Sequence, residues 1–210
     1  MYWCATTGGH VVYESRLELA RLLLADFDPD VDRIWAQPCL LEAPVGGRVR
    51  RHVPDFLLVS PAGAVTVVNV KPASRLTDPK VAAALAWPGT LVTRRGWGYQ
   101  VWSGGDPVMV ENVRFLAAYR RPGLVDDTAI AAALEHVEDG EPLGLAETRL
   151  AAGAPGWTVR PLLLTLLWRH RLVTDLSRPL STDSPLHHAA QDGAACAATV
   201  PGGGAGAWCR

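Results

Sequence analysis

The stretch His52-Val53-Pro54-Asp55-Phe56-Leu57-Leu58-Val59-Ser60-Pro61-Ala62-Gly63-Ala64-Val65-Thr66-Val67-Val68-Asn69-Val70-Lys71 decides how this chain folds. Two apolar runs, 53–60 and 64–71, flank Ser60-Pro61-Ala62-Gly63, where proline and glycine sit as a tight turn needs them. The reading is a β-hairpin. If it turns about Ala62, Asp55 falls opposite Asn69, and Lys71 shares their face because side chains alternate along a strand. The rest of that face, Val53, Leu57, Val59, Val65 and Val67, is apolar. Opposed Cβ atoms lie about 4.5–5.5 Å apart, so an acid, an amide and an amine meet at one end of an apolar surface. Charges in such a place are costly unless they pair with each other or bind a metal, so an Asp55–Lys71 ion pair and a metal site are both open readings. A register slip of one residue would move the whole set to the other face.

Outward from the hairpin, helix-like and strand-like patterns alternate. Residues 14–27 have helical composition, and Asp28-Pro29-Asp30 stops the helix. Residues 33–42 are strand-like, 78–87 form an Ala-rich helix, 98–102 a strand around Tyr99 and Val101, and 111–119 another helix. Helix, three strands, helix, strand, helix is an α/β order that suits a mixed sheet covered by helices.

Beyond Gly123 the pattern is helical. Asp126-Asp127-Thr128 caps a helix to about Val137, residues 143–152 suggest a second, and Thr158 caps a third with Pro161 in its first turn. Residues 172–176 and 178–180 read as a small hairpin, so the region resembles a winged helix-turn-helix. Its third helix is too apolar to read bases well, which points to docking of partners instead. The expected division is 1–122, 123–182 and a tail, 183–210, rich in Ala, Gly and His, in which no fixed structure is expected.

Apolar residues make up 49% of the chain, enough to build a core. With no eighteen-residue apolar run and no secretory pattern at its start, the expectation is a soluble cytoplasmic protein. The four cysteines are scattered without C-x-x-C spacing, which disfavours a zinc site or a disulfide framework. Net charge is −1, yet arginine clusters at 48–51, 94–95, 120–121 and 169–171, while Lys71 and Lys80 are the only lysines. Such clusters neutralise phosphates locally or sit on solvated loops; Arg50 and Arg51 fit either a grip on DNA or an exposed strand edge. Trp97 and Trp102 read as packing residues.

Pro54-Asp55 followed by Asn69-Val70-Lys71 resembles the PD-(D/E)xK nuclease motif with an amide in place of its second acid. Together with Tyr13-Glu14-Ser15-Arg16-Leu17-Glu18, Gln37-Pro38, His52-Val53, Val70-Lys71-Pro72 and Asn112-Val113-Arg114-Phe115-Leu116, in that order, the chain resembles TnsA-like endonuclease subunits of heteromeric transposases over about residues 11–180. The resemblance implies a restriction-endonuclease-like sheet and hydrolysis of phosphodiester bonds at the 5′ ends of a transposon. It implies Mg2+, with Mn2+ as a substitute, held by Asp55, Asn69 and Glu18, with Lys71 completing the catalytic set. Glu18 follows from the family's Ser-x-x-Glu element; Glu14, one turn earlier, is the runner-up, with a first-turn acid favoured by the helix dipole as its simpler role. The implied partners are transposon-end double-stranded DNA, a recombinase subunit and an ATP-dependent regulator, with no membrane, in a bacterial cytoplasm near the nucleoid. Gln37 and His52 stand where the family has polar residues, with strand-end hydrogen bonds as the simpler role. A stand-alone restriction or repair nuclease, and a DNA-binding adaptor with a blunted site, remain open beside this reading.

Overall fold

The computed structural model describes residues 1–152 and 156–190. A short ribbon, β1 (Tyr2–Cys4) and β2 (Gly9–Val11), opens the chain and leads into α1 (Arg16–Phe27) and β3 (Arg33–Ala36). A second ribbon follows, β4 (Leu41–Val45) and β5 (Arg48–His52), and then the expected hairpin, β6 (Phe56–Val59) and β7 (Val65–Val70). The one-turn α2 (Ala73–Leu76) and α3 (Pro79–Thr93) cross over to β8 (Gly98–Trp102), which α4 (Pro107–Leu116) follows. Strands β3-β6-β7-β8 form a mixed sheet: the first three are antiparallel, and β8 runs parallel to β7.

Both faces of this sheet are covered. Phe56, Leu58, Val68 and Val70 join the core that includes Leu22 and Leu23 of α1 and Val113 and Leu116 of α4. The alternate positions, Val67 and Asn69, are fully buried on the α3 side, where Tyr99 of β8 hydrogen-bonds the Leu85 carbonyl. A central strand beside a parallel neighbour is buried on both faces, as β7 is over Val67–Val70. α3 extends to Thr93, past the 87 expected from sequence, and continues through Pro88-Gly89. Gly89 has a packing reason: a Cβ there would stand 2.8 Å from the Tyr99 ring.

The N-terminal ribbon, absent from the sequence expectation, is tied down by Asp26 of α1. This buried carboxylate accepts hydrogen bonds from the Tyr2 hydroxyl, the Cys4 thiol, the backbone amides of Ala5 and Thr6, and the Thr6 hydroxyl. Burial, then the bond to Asp26, pushes the Cys4 thiol up to about 11, so it is a poor thiolate nucleophile.

The C-terminal region runs α5 (Asp127–His136), β9 (Glu141–Pro142), α6 (Leu143–Ala151), α7 (Gly156–Trp168), β10 (Leu172–Val173) and β11 (Pro185–His188). Its three short strands are antiparallel with β11 in the middle. Three sequence expectations change here. Thr158 lies inside α7 and does not precede it. Residues 178–180 are no strand: both ends of the buried Asn112 amide hold that segment, donating to the carbonyls of Leu176 and Arg178 and accepting from the Leu180 amide. β10 pairs with 185–188, so the tail does not begin at 183. α6 has no side-chain cap; its free Leu143 and Gly144 amides are satisfied by the carbonyls of Ser184 and Thr182, and Leu186 is completely buried. The remainder of the expected tail, from 191, lies outside the described residues.

The core does not stop at 122. Val113 and Leu116 belong to the same apolar cluster as Leu163, Leu167 and Leu186. The ring of Phe27, at the end of α1, packs on Trp168 and His170, and its carbonyl bonds the His170 imidazole. Among the described residues no helix is long and apolar enough to cross a membrane.

Candidate metal and phosphodiester site

β6 and β7 pair Phe56 with Val68, Leu57 with Val67, Leu58 with Thr66 and Val59 with Val65, the register that turning about Ala62 requires. Continued by one residue it sets Asp55 against Asn69. The ladder does not continue, however, because β6 starts at Phe56 and the residue before Asp55 is a proline with no N–H to give. The Asp55 side chain takes the vacant place: Oδ2 accepts from the Val70 amide at 2.6 Å. Its main chain stays in the sheet, since its carbonyl accepts from the Gln37 amide at 2.9 Å.

A carboxylate standing in line with the ladder can be reached from both faces of the sheet. Burial raises the Asp55 pKa above the usual carboxylate range, and the Val70 amide opposes that shift. Lys71 and His52 also pull it down, while Glu18 pushes it up. Glu18 of α1 and Lys71, which follows β7, are both near enough to influence Asp55. Among the described residues Asp55 and Lys71 form no direct ion pair, and Oδ1 of Asp55 accepts no hydrogen bond.

Glu18 closes a capping box. Ser15 Oγ accepts from the Glu18 amide, and the Glu18 carboxylate accepts from the Ser15 hydroxyl and the Glu14 amide. The Ser-x-x-Glu spacing therefore has a local structural cause in addition to any role in chemistry. Glu14 does not lie on the helix, contrary to the sequence expectation. It precedes the Ser15 cap, and its carboxylate accepts from Gln37 Nε2 at 2.8 Å. Gln37 adopts φ +47, a left-handed conformation that non-glycine residues rarely take and that concentrates at functional sites.

Asn69 is where the geometry departs furthest from the motif. Its side chain is completely buried and engaged at both ends: Oδ1 lies 2.6 Å from His52 Nε2, and Nδ2 donates to the Tyr99 hydroxyl at 2.9 Å. The Leu85 carbonyl orders the chain. It can only accept, so the Tyr99 hydroxyl donates to it at 2.8 Å and must in turn accept from the amide nitrogen. The amide oxygen then faces His52, whose Nε2 must carry the proton. Asn69 thus holds the imidazole that lines the mouth of the site. Sequence reasoning missed this chain because it depends on the β7–β8 register and on Gly89, both set by the α3 crossover.

A cleft of about 760 Å³ opens beside the site, lined by His52, Lys71, Arg75, Asp78 and Lys80. Both lysines of the chain face it. Among the described residues no three His, Cys, Asp or Glu side chains form a ready metal cage. Mg2+ needs none: it is ordinarily bound through one or two carboxylates and keeps several waters. The half-buried Asp55, with an unused oxygen and a second acid acting on it, fits that demand.

No protein-family model matches the chain, and no curated protein matches it either.

Proposed function

We propose that the chain is a divalent-metal-dependent DNA endonuclease, the TnsA-like subunit of a heteromeric transposase, built on a restriction-endonuclease-like sheet. The observation that carries this is the half-buried Asp55 carboxylate at the end of β6, held by the Val70 amide with one oxygen unused and with Lys71 and Glu18 both near it. The helix, three strands, helix, strand order around it supports the same reading.

Asp55 and Glu18 would hold the metal, Mg2+ or Mn2+. The chemistry that Mg2+ supplies when bound is Lewis acidity toward a phosphodiester and its attacking water. Lys71 offers an ammonium to the negative charge that develops on phosphorus. Asn69 contributes by fixing His52 at the cleft, and this replaces the ligand role that the motif suggests for it.

The C-terminal unit, three helices with a three-stranded sheet between and after them, supports a winged-helix-like module that docks partner proteins. Its α7 is buried along most of its length, and the exposed Arg160 and Arg169 pair with Glu147 and Asp127. A helix so occupied is unavailable to a DNA groove. The recombinase subunit and ATP-dependent regulator of the transposase are the partners this reading assigns to it.

One observation favours a second reading, a non-catalytic DNA-binding adaptor: the neutral Asn69 stands in an acid's place and is spent on internal hydrogen bonds. Reconstitution with the neighbouring recombinase and regulator on element-end DNA separates the two. Strand-by-strand scoring is expected to show 5′-end nicks that vanish in Asp55→Ala and Lys71→Ala, by at least about 10²–10³-fold. Undiminished nicking by Asp55→Ala would end the catalytic assignment.

A further inference from the structure

With α7 engaged internally, the grip on DNA must come from another element, and the β4–β5 ribbon has the required properties. It forms its own two-stranded sheet, separate from the four-stranded one. Its strands join through Gly46-Gly47, both at positive φ (+60 and +76), the two-residue turn that matches strand twist. A Cβ at either glycine would meet nothing within 4 Å, so the tip projects into open space. No further strand pairs with either edge of this ribbon, which rests against α3 on its β4 side.

The register sorts its charges. Arg48, Arg50 and His52 alternate with Val49 and Arg51, so the first three share one face. Arg51, on the other face, is neutralised by Glu42 opposite it. Arg48 and Arg50 are exposed and have no ion-pair partner among the described residues. His52 closes the row at the site itself, where Nε2 meets Asn69. Arg48 and Arg50 therefore lead from the tip toward His52 and the cleft, whose lining carries Lys71, Arg75 and Lys80 beside Asp78.

We infer that the β4–β5 ribbon is a DNA-binding arm that enters the major groove of a duplex, with Arg48 and Arg50 on its phosphates, next to the bond presented to Asp55. Size favours the wider groove. Paired strands lie about 4.8 Å apart before side chains are added, which suits a major groove about 12 Å wide without distortion of the duplex, whereas a minor groove of about 6 Å would have to be widened. This inference rests on the nuclease reading only for what lies beside the arm; binding by the arm does not require cleavage.

The test is equilibrium binding of a short labelled duplex to the full-length Asp55→Ala chain over a salt series. Adding Arg48→Ala and Arg50→Ala is expected to weaken binding at least tenfold and to reduce the salt slope by about 2, close to one unit per lost phosphate contact. Adding Arg51→Ala leaves both unchanged. Glucosylated hydroxymethylcytosine, which fills the major groove, is expected to abolish binding, whereas netropsin in the minor groove is not. Equal affinity and slope in the double arginine variant would overturn the inference, as would competition by netropsin alone, preference for single strands or anionic vesicles, or no duplex binding. Arm-dependent binding without Asp55-dependent nicking would remove the nuclease reading and leave the arm.

Discussion

Two carboxylates of this molecule live in opposite circumstances. Asp26 accepts from a hydroxyl, a thiol and two backbone amides in the N-terminal knot, and from a second hydroxyl besides. Asp55 at the end of β6 accepts from one amide, keeps an oxygen unused, and lies near another acid. The first arrangement is what a fold builds to stabilise itself. The second costs stability while the acid is ionised, and the proposed metal site is the kind of function for which such a cost persists.

The contrast can be broken at either end. The largest effect is expected at Asp26, where Asp26→Ala leaves buried donors without an acceptor. It should cost about 3–5 kcal/mol, a fall in Tm on the order of 10 °C for a chain of this size, measured by thermal denaturation. Asp26→Asn, which keeps part of the network, should fall between. Neither is expected to change divalent-metal binding if the folded fraction is allowed for.

Next in size is Asn69→Asp. Restoring the acid of the motif places a charge where no water reaches and deprives the Tyr99 hydroxyl of its donor. A loss of about 2–4 kcal/mol is expected, read from denaturant midpoints. An unchanged midpoint would mean that the amide is not committed to His52 and Tyr99.

The smallest effect has the opposite sign. Asp55→Asn keeps an acceptor for the Val70 amide and removes the buried charge, so Tm should rise by a few degrees at neutral pH in metal-free buffer. The pH dependence follows from the raised pKa. The acid's cost is absent below its unfolded value, near 3.9, and grows as pH climbs through the higher folded one. The gain from Asn should therefore vanish in acid and reach a plateau at higher pH.

The hairpin and its register were legible because turn chemistry and strand alternation act over twenty residues of continuous chain. The β4–β5 ribbon carried a legible signal too, Gly46-Gly47, but Arg48-Val49-Arg50-Arg51 lacks the apolar alternation of a half-buried strand. β11 offered only Leu186 as a buried residue, and its partners, β9 and β10, lie far away in sequence. For the site, the register that brings Asp55 to the Asn69–Lys71 end of the hairpin could be read in advance. The commitment of Asn69 to His52 and Tyr99 could not, since it depends on a parallel pairing across the α3 crossover.

The most direct test is Mn2+ binding to the intact chain, followed by the loss of its free-ion paramagnetic signal. Saturable binding is expected in the wild type and in Lys71→Ala, with loss in Asp55→Ala and weakening in Glu18→Gln. Equal Mn2+ affinity in wild type and Asp55→Ala would contradict the claim that this carboxylate is there to receive a divalent ion.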